Sequence, residues 1–564
     1  MGQWAEPEID RYQQTLFAPT LDAMIPSDHP VRLFDELLRS MDWSAWEGRY
    51  NLRIGQPPIH PRVVAGVILY GLTRGVRSSR QLEYACGNAV DFMWLAERQG
   101  IDHSTICAFR GRFRGALKDL FKQMGQLAMR MGLVRLNEVG LDGTRIRANS
   151  SRHGMATAAT LAGRLAALDD QIEAMLSAAE AADAEAGLCE GSRGTAAHLP
   201  RHLADAARRR ARLEQALAQA RAAEGKAGDQ AQREGTADEA DAATPADPAR
   251  KQQQQQQQQQ EQKQEQKQEQ EQHKKKKGPR VPVADPESTV LPNKEGGYAP
   301  NYTVLAAADG AHGLLVDAAV IADNDEGAHT LETVDRVTDR FGERPARLLA
   351  DTAFGSGPIL AGLVARGVEG YIPQAQREDR ASNPAHRADP TAAVPEADWP
   401  RLPRSTRTGK LDRAAFLYDG EADCYWCPMG HRLTRWQRRD RDRRRGRVEN
   451  WLYRGAWCEE CPLAGECLSG RGSRTVSRDV YEALREAMDA RLGSEEGQAR
   501  YRRRSPIAET PHAVTKGQMG VRQFLTRGLE QVTTEWWWVC TAYNLKKLVR
   551  LVTGMRERLW ALAV

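Results

Sequence analysis

Asn137-Glu-Val-Gly-Leu-Asp142-Gly-Thr144 is the stretch on which the fold turns. Val139 and Leu141, then Ile146 and Ala148, alternate around Asp142, and this period of two predicts a strand over 137–150. A second apolar run, Arg347-Leu-Leu-Ala-Asp351-Thr-Ala-Phe354, also ends on a carboxylate. A third acidic residue, Glu509, follows the arginines of Tyr501-Arg-Arg-Arg504-Ser-Pro-Ile-Ala-Glu509 and precedes Lys516. Carboxylates from distant parts of a chain can converge and hold two hard cations. Such cations take oxygen ligands and clamp both the attacking and the leaving oxygen of a phosphodiester.

Outward from Asp142, the order is strand, large insert, two strands (302–308 and 313–322), a helix near 326–340, the strand ending at Asp351, and another helix at 359–366. With the insert removed, this order predicts an α/β fold, a mixed sheet flanked by helices. Residues 1–135 read as an all-helical domain, with apolar residues at helical spacing in 62–72. Its last helix opens at Asp102-His-Ser104, which suits a cap, and carries Arg110 and Arg114 on one face. Several short helices ending in a capped, arginine-rich one fit a helix-turn-helix reader of DNA or a small bundle with a solvated basic face.

The insert divides in two. Residues 151–225 are rich in Ala, Leu, Arg and Glu and predict a helical hairpin. Residues 226–295 contain a glutamine run, Gln252–Gln260, and a lysine run, Lys274–Lys277, and are expected to be a disordered linker. The catalytic layer resumes over 296–420, and 471–564 supply helices that include Glu509.

Between these lies a cysteine-rich segment, 421–470. Cys424-Tyr-Trp-Cys427 and Cys458-Glu-Glu-Cys461, with Cys467 close by, place five thiols within reach of one tetrahedral zinc. Two quartets fit: Cys424, Cys427, Cys458 and Cys461, or Cys427, Cys458, Cys461 and Cys467. Four thiolates leave no open position, so the role expected is structural. Cys86, Cys107, Cys189 and Cys540 are scattered and read as packing residues. The arginine run Arg435–Arg447 between the knuckles is expected to sit on the loop they tie off, as a phosphate-contacting surface.

Net charge is +5, from 80 basic and 75 acidic residues in 564, so the clusters matter more than the total. The N-terminus has no secretory pattern and no stretch suits a membrane span; the apolar run at Trp536-Trp-Trp reads as a buried helix. Together with the cysteine usage, this predicts an intracellular, cytoplasmic protein.

The strand at Asp142-Gly-Thr, the strand end Ala350-Asp351-Thr-Ala-Phe-Gly-Ser and the segment Tyr501…Arg504…Glu509…Lys516 resemble the DDE transposases of bacterial insertion sequences. Within these, they are similar to the group with a Tyr-Arg-Glu-Lys signature. Ile25-Pro-Ser-Asp-His-Pro-Val-Arg, Ile101-Asp-His-Ser-Thr-Ile, Gly297-Tyr-Ala-Pro-Asn-Tyr-Thr-Val, the Cys-Pro knuckles and Asn544-Leu-Lys-Lys-Leu agree with that resemblance. It implies an RNase H-like fold in which Asp142, Asp351 and Glu509 bind two Mg²⁺ ions, with Mn²⁺ as a substitute. The implied reaction is hydrolysis at inverted-repeat ends, then attack of the freed 3′-OH on target DNA, by a homodimer on DNA at the bacterial nucleoid. Tyr501, Arg502, Arg504 and Lys516 are the implied DNA contacts, joined by Arg110 and Arg114 from the helical domain. A DNA-binding protein with an inactive catalytic domain, and an RNase H-like nuclease without strand transfer, are the alternatives.

The signature group places its arginine four residues before the glutamate, where this chain has Ser505. On an α-helix the shift to Arg504 rotates the guanidinium by about 100°. Arg502 and Lys516, each seven residues from Glu509, are then expected on its face. Pro506 and Pro511 bracket Glu509, so a broken or restarting helix is expected there.

Overall fold

The structure, a computed structural model, describes residues 20–50, 57–186, 201–235, 278–292, 297–323, 325–374, 382–406, 408–443, 446–468 and 472–563. The central sheet is built from β1 (Val139–Arg147), β2 (Thr289–Pro292), β3 (Tyr298–Asp309), β4 (Leu315–Ile321), β5 (Arg347–Leu349) and β6 (Glu369–Tyr371). β2 and β4 share one side of the long β3; beyond it come β1, β5 and β6. β1, β5 and β6 run parallel, and the other pairings are antiparallel. This is the mixed α/β layer expected.

Register explains why a crevice forms at Asp142. β1 pairs with β3 along its whole length, with Asp142 opposite Ala306. Its pairing with β5 covers only Val139 and Gly140, opposite Leu348 and Leu349. Past Leu349 the chain turns away, so Asp142 and Asp351 face each other across the opening left at the carboxyl ends of two parallel strands. Ligands commonly bind to open α/β sheets in such crevices.

The C-terminal helix Leu529–Ala563 is the pillar of the molecule. It packs on β4 and on the helices Pro61–Thr73 and Arg114–Arg130. Trp536, Trp537 and Trp538 are all buried, as the sequence predicts. Trp538 meets the edge of Trp46, which stacks on Phe113 with centroids 4.9 Å apart. Asn544 acts as a short piece of strand: its amide accepts from the Leu315 N–H and donates to the Leu315 carbonyl, both at 2.8 Å. The residues before 135 are helical as expected, but they share a single hydrophobic cluster with the sheet and the C-terminal helix.

The insert forms a helical hairpin, Ala158–Ala186 and Arg201–Gly235, closed by its own small core around Leu161, Leu213 and Leu217. The second helix continues past the boundary expected at 225, to Gly235, and the described residues resume at 278. The glutamine and lysine runs lie outside the described residues, as does Cys189. The cysteine-rich region is a five-stranded antiparallel sheet whose core takes Ala385, Val394 and Leu411 from one side and Val476 from the other. It therefore extends beyond 421–470 in both directions, because strands and loops outside the knuckles are needed to bury its apolar residues. Among the described residues, no helix is long and apolar enough to cross a membrane.

Candidate active site

Three elements bring the acidic residues together. Asp142 projects from β1; Asp351 caps the turn after β5, its Oδ1 accepting from the Ala353 N–H at 2.8 Å; Glu509 comes from the segment after the helix Glu495–Arg502. All three reach the guanidinium of Arg504. Its Nη2 lies 3.1 Å from Asp142 Oδ1 and 3.7 Å from Asp351 Oδ2, and its Nη1 lies 2.9 Å from Glu509 Oε1. Side chains separated by hundreds of residues thus surround one positive charge.

The helix bearing Glu509 is not a plain α-helix. Ser505–Glu509 form a single π turn, followed by a fresh α-helix at Thr510–Gly517 with Pro511 in its first turn. This is the restarting helix that the two prolines predict. In a π turn residues five apart are stacked, and such turns recur at functional sites. Arg504 and Glu509 are five apart, so the wider turn restores the pairing that an α-helix would break. Arg502 is accordingly not the residue that faces the site, contrary to the expectation from α-helical spacing; its side chain is exposed. Gly140 admits the turn. A Cβ there would stand 2.7 Å from Ile507 Cγ2 and 3.1 Å from Ala508 Cβ.

Burial pushes the Asp142 carboxyl up to about 6; Arg504 opposes this, while Asp351 and Glu509 add to it. His512 lies behind Asp142, stacked on Trp536 at 6.4 Å. Its Nε2 donates to the Asp142 carbonyl at 3.2 Å, and burial pulls the ring down to about 4, so it is neutral at pH 7. Lys516 Nζ donates to Thr144 Oγ1 at 2.6 Å on the same face of β1. Ser505 Oγ donates to Glu509 Oε2 at 3.0 Å. Tyr501 is half-buried beside the three carboxylates, which help burial to raise its phenol.

A fourth carboxylate, Glu326, lies close by in the turn after β4, and burial with Asp351 and Asp142 pushes it up to about 7. His512 and Glu326 carry no sequence signal of their own. Glu326 sits in an acidic Asp-Asn-Asp-Glu-Gly turn that reads as solvated loop.

Arg110 and Arg114 are placed elsewhere. Arg110 is largely buried and donates to the Arg77 carbonyl at 2.8 Å, while its own carbonyl accepts from Trp538 Nε1. Arg114 pairs with Glu530. The Arg110 backbone carbonyl and the Arg114 guanidinium tie the helical region to the C-terminal helix, and neither arginine pairs with the three carboxylates.

Cys427, Cys458, Cys461 and Cys467 line one apolar cavity of about 30 Å³. Cys424 is buried on its strand and does not line it, which separates the two quartets. Burial raises the Cys427 thiol and pushes Cys467 up to about 11, although Arg474 opposes the latter. Cys86 and Cys540 are buried as expected of packing residues, whereas Cys107 is exposed. Among the described residues, no three His, Cys, Asp or Glu side chains are arranged to grip a metal ion. The expected zinc is therefore not supported by the arrangement of the thiols. At the carboxylates the physical reason is Arg504, whose guanidinium stands where a cation would bind.

Residues 426–549, which include Glu509, match the family described as Transposase DDE domain. Residues 19–112 match a second family, described as Transposase domain (DUF772). No curated protein and no solved structure matched. The first match gives the chain the domain of a catalytic transposase, a class that binds DNA and uses divalent metal. The chain carries the transposase domains at its two ends, with Asp142 and Asp351 in the sheet between them.

Proposed function

We propose that this chain catalyses DNA transposition with Asp142, Asp351 and Glu509 as its catalytic carboxylates. The observation that carries this reading is their convergence on one guanidinium at the carboxyl ends of parallel strands. The donor set fits divalent Mg²⁺ or Mn²⁺, because all its atoms are hard carboxylate oxygens and their charges demand a cation, which Arg504 supplies in the structure. Two ions bound there would polarise the phosphodiester and stabilise the attacking and leaving oxygens. The protein's own work is positioning. Asp142 holds its place through the hydrogen bond from His512 to its backbone, and Asp351 through its cap on the following turn. Lys516, Tyr501 and Arg504 surround the mouth as phosphate contacts, Arg502 is a further phosphate contact on the exposed side of the same segment, and Arg504 is placed to take a phosphate once divalent cations neutralise the carboxylates.

The substrates are the inverted-repeat ends of the chain's own element, followed by target DNA, and the acting species is a homodimer bridging two ends. The N-terminal helices read DNA in helix-turn-helix fashion.

The test is incubation with duplex DNA carrying the sequences that flank the reading frame, plus a target plasmid and Mg²⁺. Cutting at the ends and joining to the plasmid is expected. Binding without cutting would leave only a DNA-binding protein, and cutting without joining would leave a nuclease.

A further inference from the structure

We infer that Glu326 is a fourth carboxylate of the catalytic centre, a ligand that helps it take up divalent cations. This deepens the proposed function and rests on it. Glu326 opens the single turn Glu326–His329, which leaves β4 and packs against Thr352–Phe354, the turn capped by Asp351. Asp325 caps that turn, accepting from the Ala328 N–H, so the Glu326 side chain is left out of the cap. Its carboxylate lies under Gly143, the neighbour of Asp142. A Cβ on Gly143 would overlap the Glu326 carboxylate, so only glycine at this position admits it.

The two glycines that flank Asp142 therefore serve opposite faces of one strand. Gly140 lets the π turn with Arg504 and Glu509 approach from the Asp142 face, and Gly143 lets Glu326 approach from the other. β1 has no neighbour on its β5 side beyond Gly140, so a group beneath Gly143 opens onto the same crevice. Among the described residues, no hydrogen bond or ion pair closes on the Glu326 carboxylate. Arg504 satisfies the other three, and Arg145 exerts an opposing electrostatic pull on the fourth. A half-buried carboxylate without a paired cation, facing two more, is a poor structural element and a good cation ligand.

The experiment uses the full chain and Mn²⁺ alone, with free Mn²⁺ followed by electron paramagnetic resonance and thermal unfolding recorded with and without Mn²⁺. Glu326→Gln is expected to weaken Mn²⁺ binding by about tenfold or more. Its melting temperature without Mn²⁺ should be no lower than that of the unaltered chain, because one crowded charge is gone. Gly143→Ala should show the same loss of binding with Glu326 still in the chain. Unchanged binding by Glu326→Gln, with Asp142→Asn abolishing it, would remove Glu326 from the centre and leave the proposed function standing. A lower melting temperature without Mn²⁺ in both variants would make Glu326 structural. Failure of the unaltered chain itself to bind Mn²⁺ would overturn both readings.

Discussion

The carboxylate crevice and the cysteine cavity gather reactive side chains in opposite ways. The crevice draws on residues 142, 351 and 509, and its mouth is open: the Asp351 and Glu509 side chains are 41% and 51% exposed. The cavity draws on residues 427–467 and is walled by apolar side chains. Burial opposes ionisation of Asp142 in the crevice and of Cys427 and Cys467 in the cavity; Arg504 opposes the effect in the first and Arg474, at Cys467, in the second. Three carboxylates thus share one guanidinium at an open mouth, while burial raises the Cys427 and Cys467 thiols inside their cavity. One region is poised for chemistry, and the other behaves as a packed core until something deprotonates it.

The sharpest way to break the contrast is to neutralise each region. Asp142→Asn or Glu509→Gln should lower DNA cleavage by about a thousandfold or more, with DNA binding kept, since positioned charge dominates phosphoryl transfer. Cys461→Ser should lower the melting temperature and leave the activity per folded molecule much less affected. Equal loss of activity from both would erase the distinction.

Next in size is a steric test. Gly140→Val forces side-chain atoms into Ile507 and Ala508, and should cost about 1–3 kcal/mol in denaturant unfolding as well as cleavage, because the π turn must shift. A variant that unfolds and cuts like the unaltered chain would show that the turn does not bear on β1.

pH sharpens the comparison further. The Asp142 carboxyl has a folded value of about 6 against an ordinary 3.8, so between these values the folded state holds a proton that the unfolded state has released. Its contribution to stability is therefore greatest below about 4 and falls as pH rises through about 6. Asp142→Asn, measured without divalent metal, should gain stability over the unaltered chain at pH 8, and the gain should vanish near pH 4. His512 acts in the other direction. Its folded value of about 4 lies below an ordinary 6.5, so its contribution is full above 6.5 and is lost as pH falls towards 4. The two difference curves, Asp142→Asn and His512→Gln, should slope oppositely over that window.

The smallest effect is expected outside both regions. Arg502→Ala should leave stability within about 0.5 kcal/mol. It should weaken DNA binding evenly across sequences and reduce the salt slope by about one, as loss of a phosphate contact does. An unchanged salt slope would remove Arg502 from the DNA surface.

Much of the fold was legible because β1, β3 and the C-terminal helix follow simple periodicities. Asp142 and Asp351 were legible because each closes an apolar run, a local signal of a strand end. The facing of Arg504 was not legible. An α-helical count turns it away from Glu509, and only a change in hydrogen-bond register over Ser505–Glu509 brings it back. Glu326 was hidden for a related reason: its placement depends on room beneath Gly143, which exists only once β1 and the following turn are assembled. Arg110 and Arg114 do not share the one helical face expected, because the helix breaks at Phe113 and leaves them on His103–Arg112 and Arg114–Arg130, and what they face is set by the distant C-terminal helix. The choice between cysteine quartets likewise needed the strand that turns Cys424 away from the cavity.

The convergence of Asp142, Asp351 and Glu509 can be tested directly by replacing Mg²⁺ with Fe²⁺ and letting ascorbate and peroxide cut the backbone beside the bound ion. The account predicts fragments ending close to residues 142, 351 and 509, all suppressed together by excess Mg²⁺. Cuts confined to the cysteine-rich sheet, or cuts at only one of the three carboxylates, would contradict it.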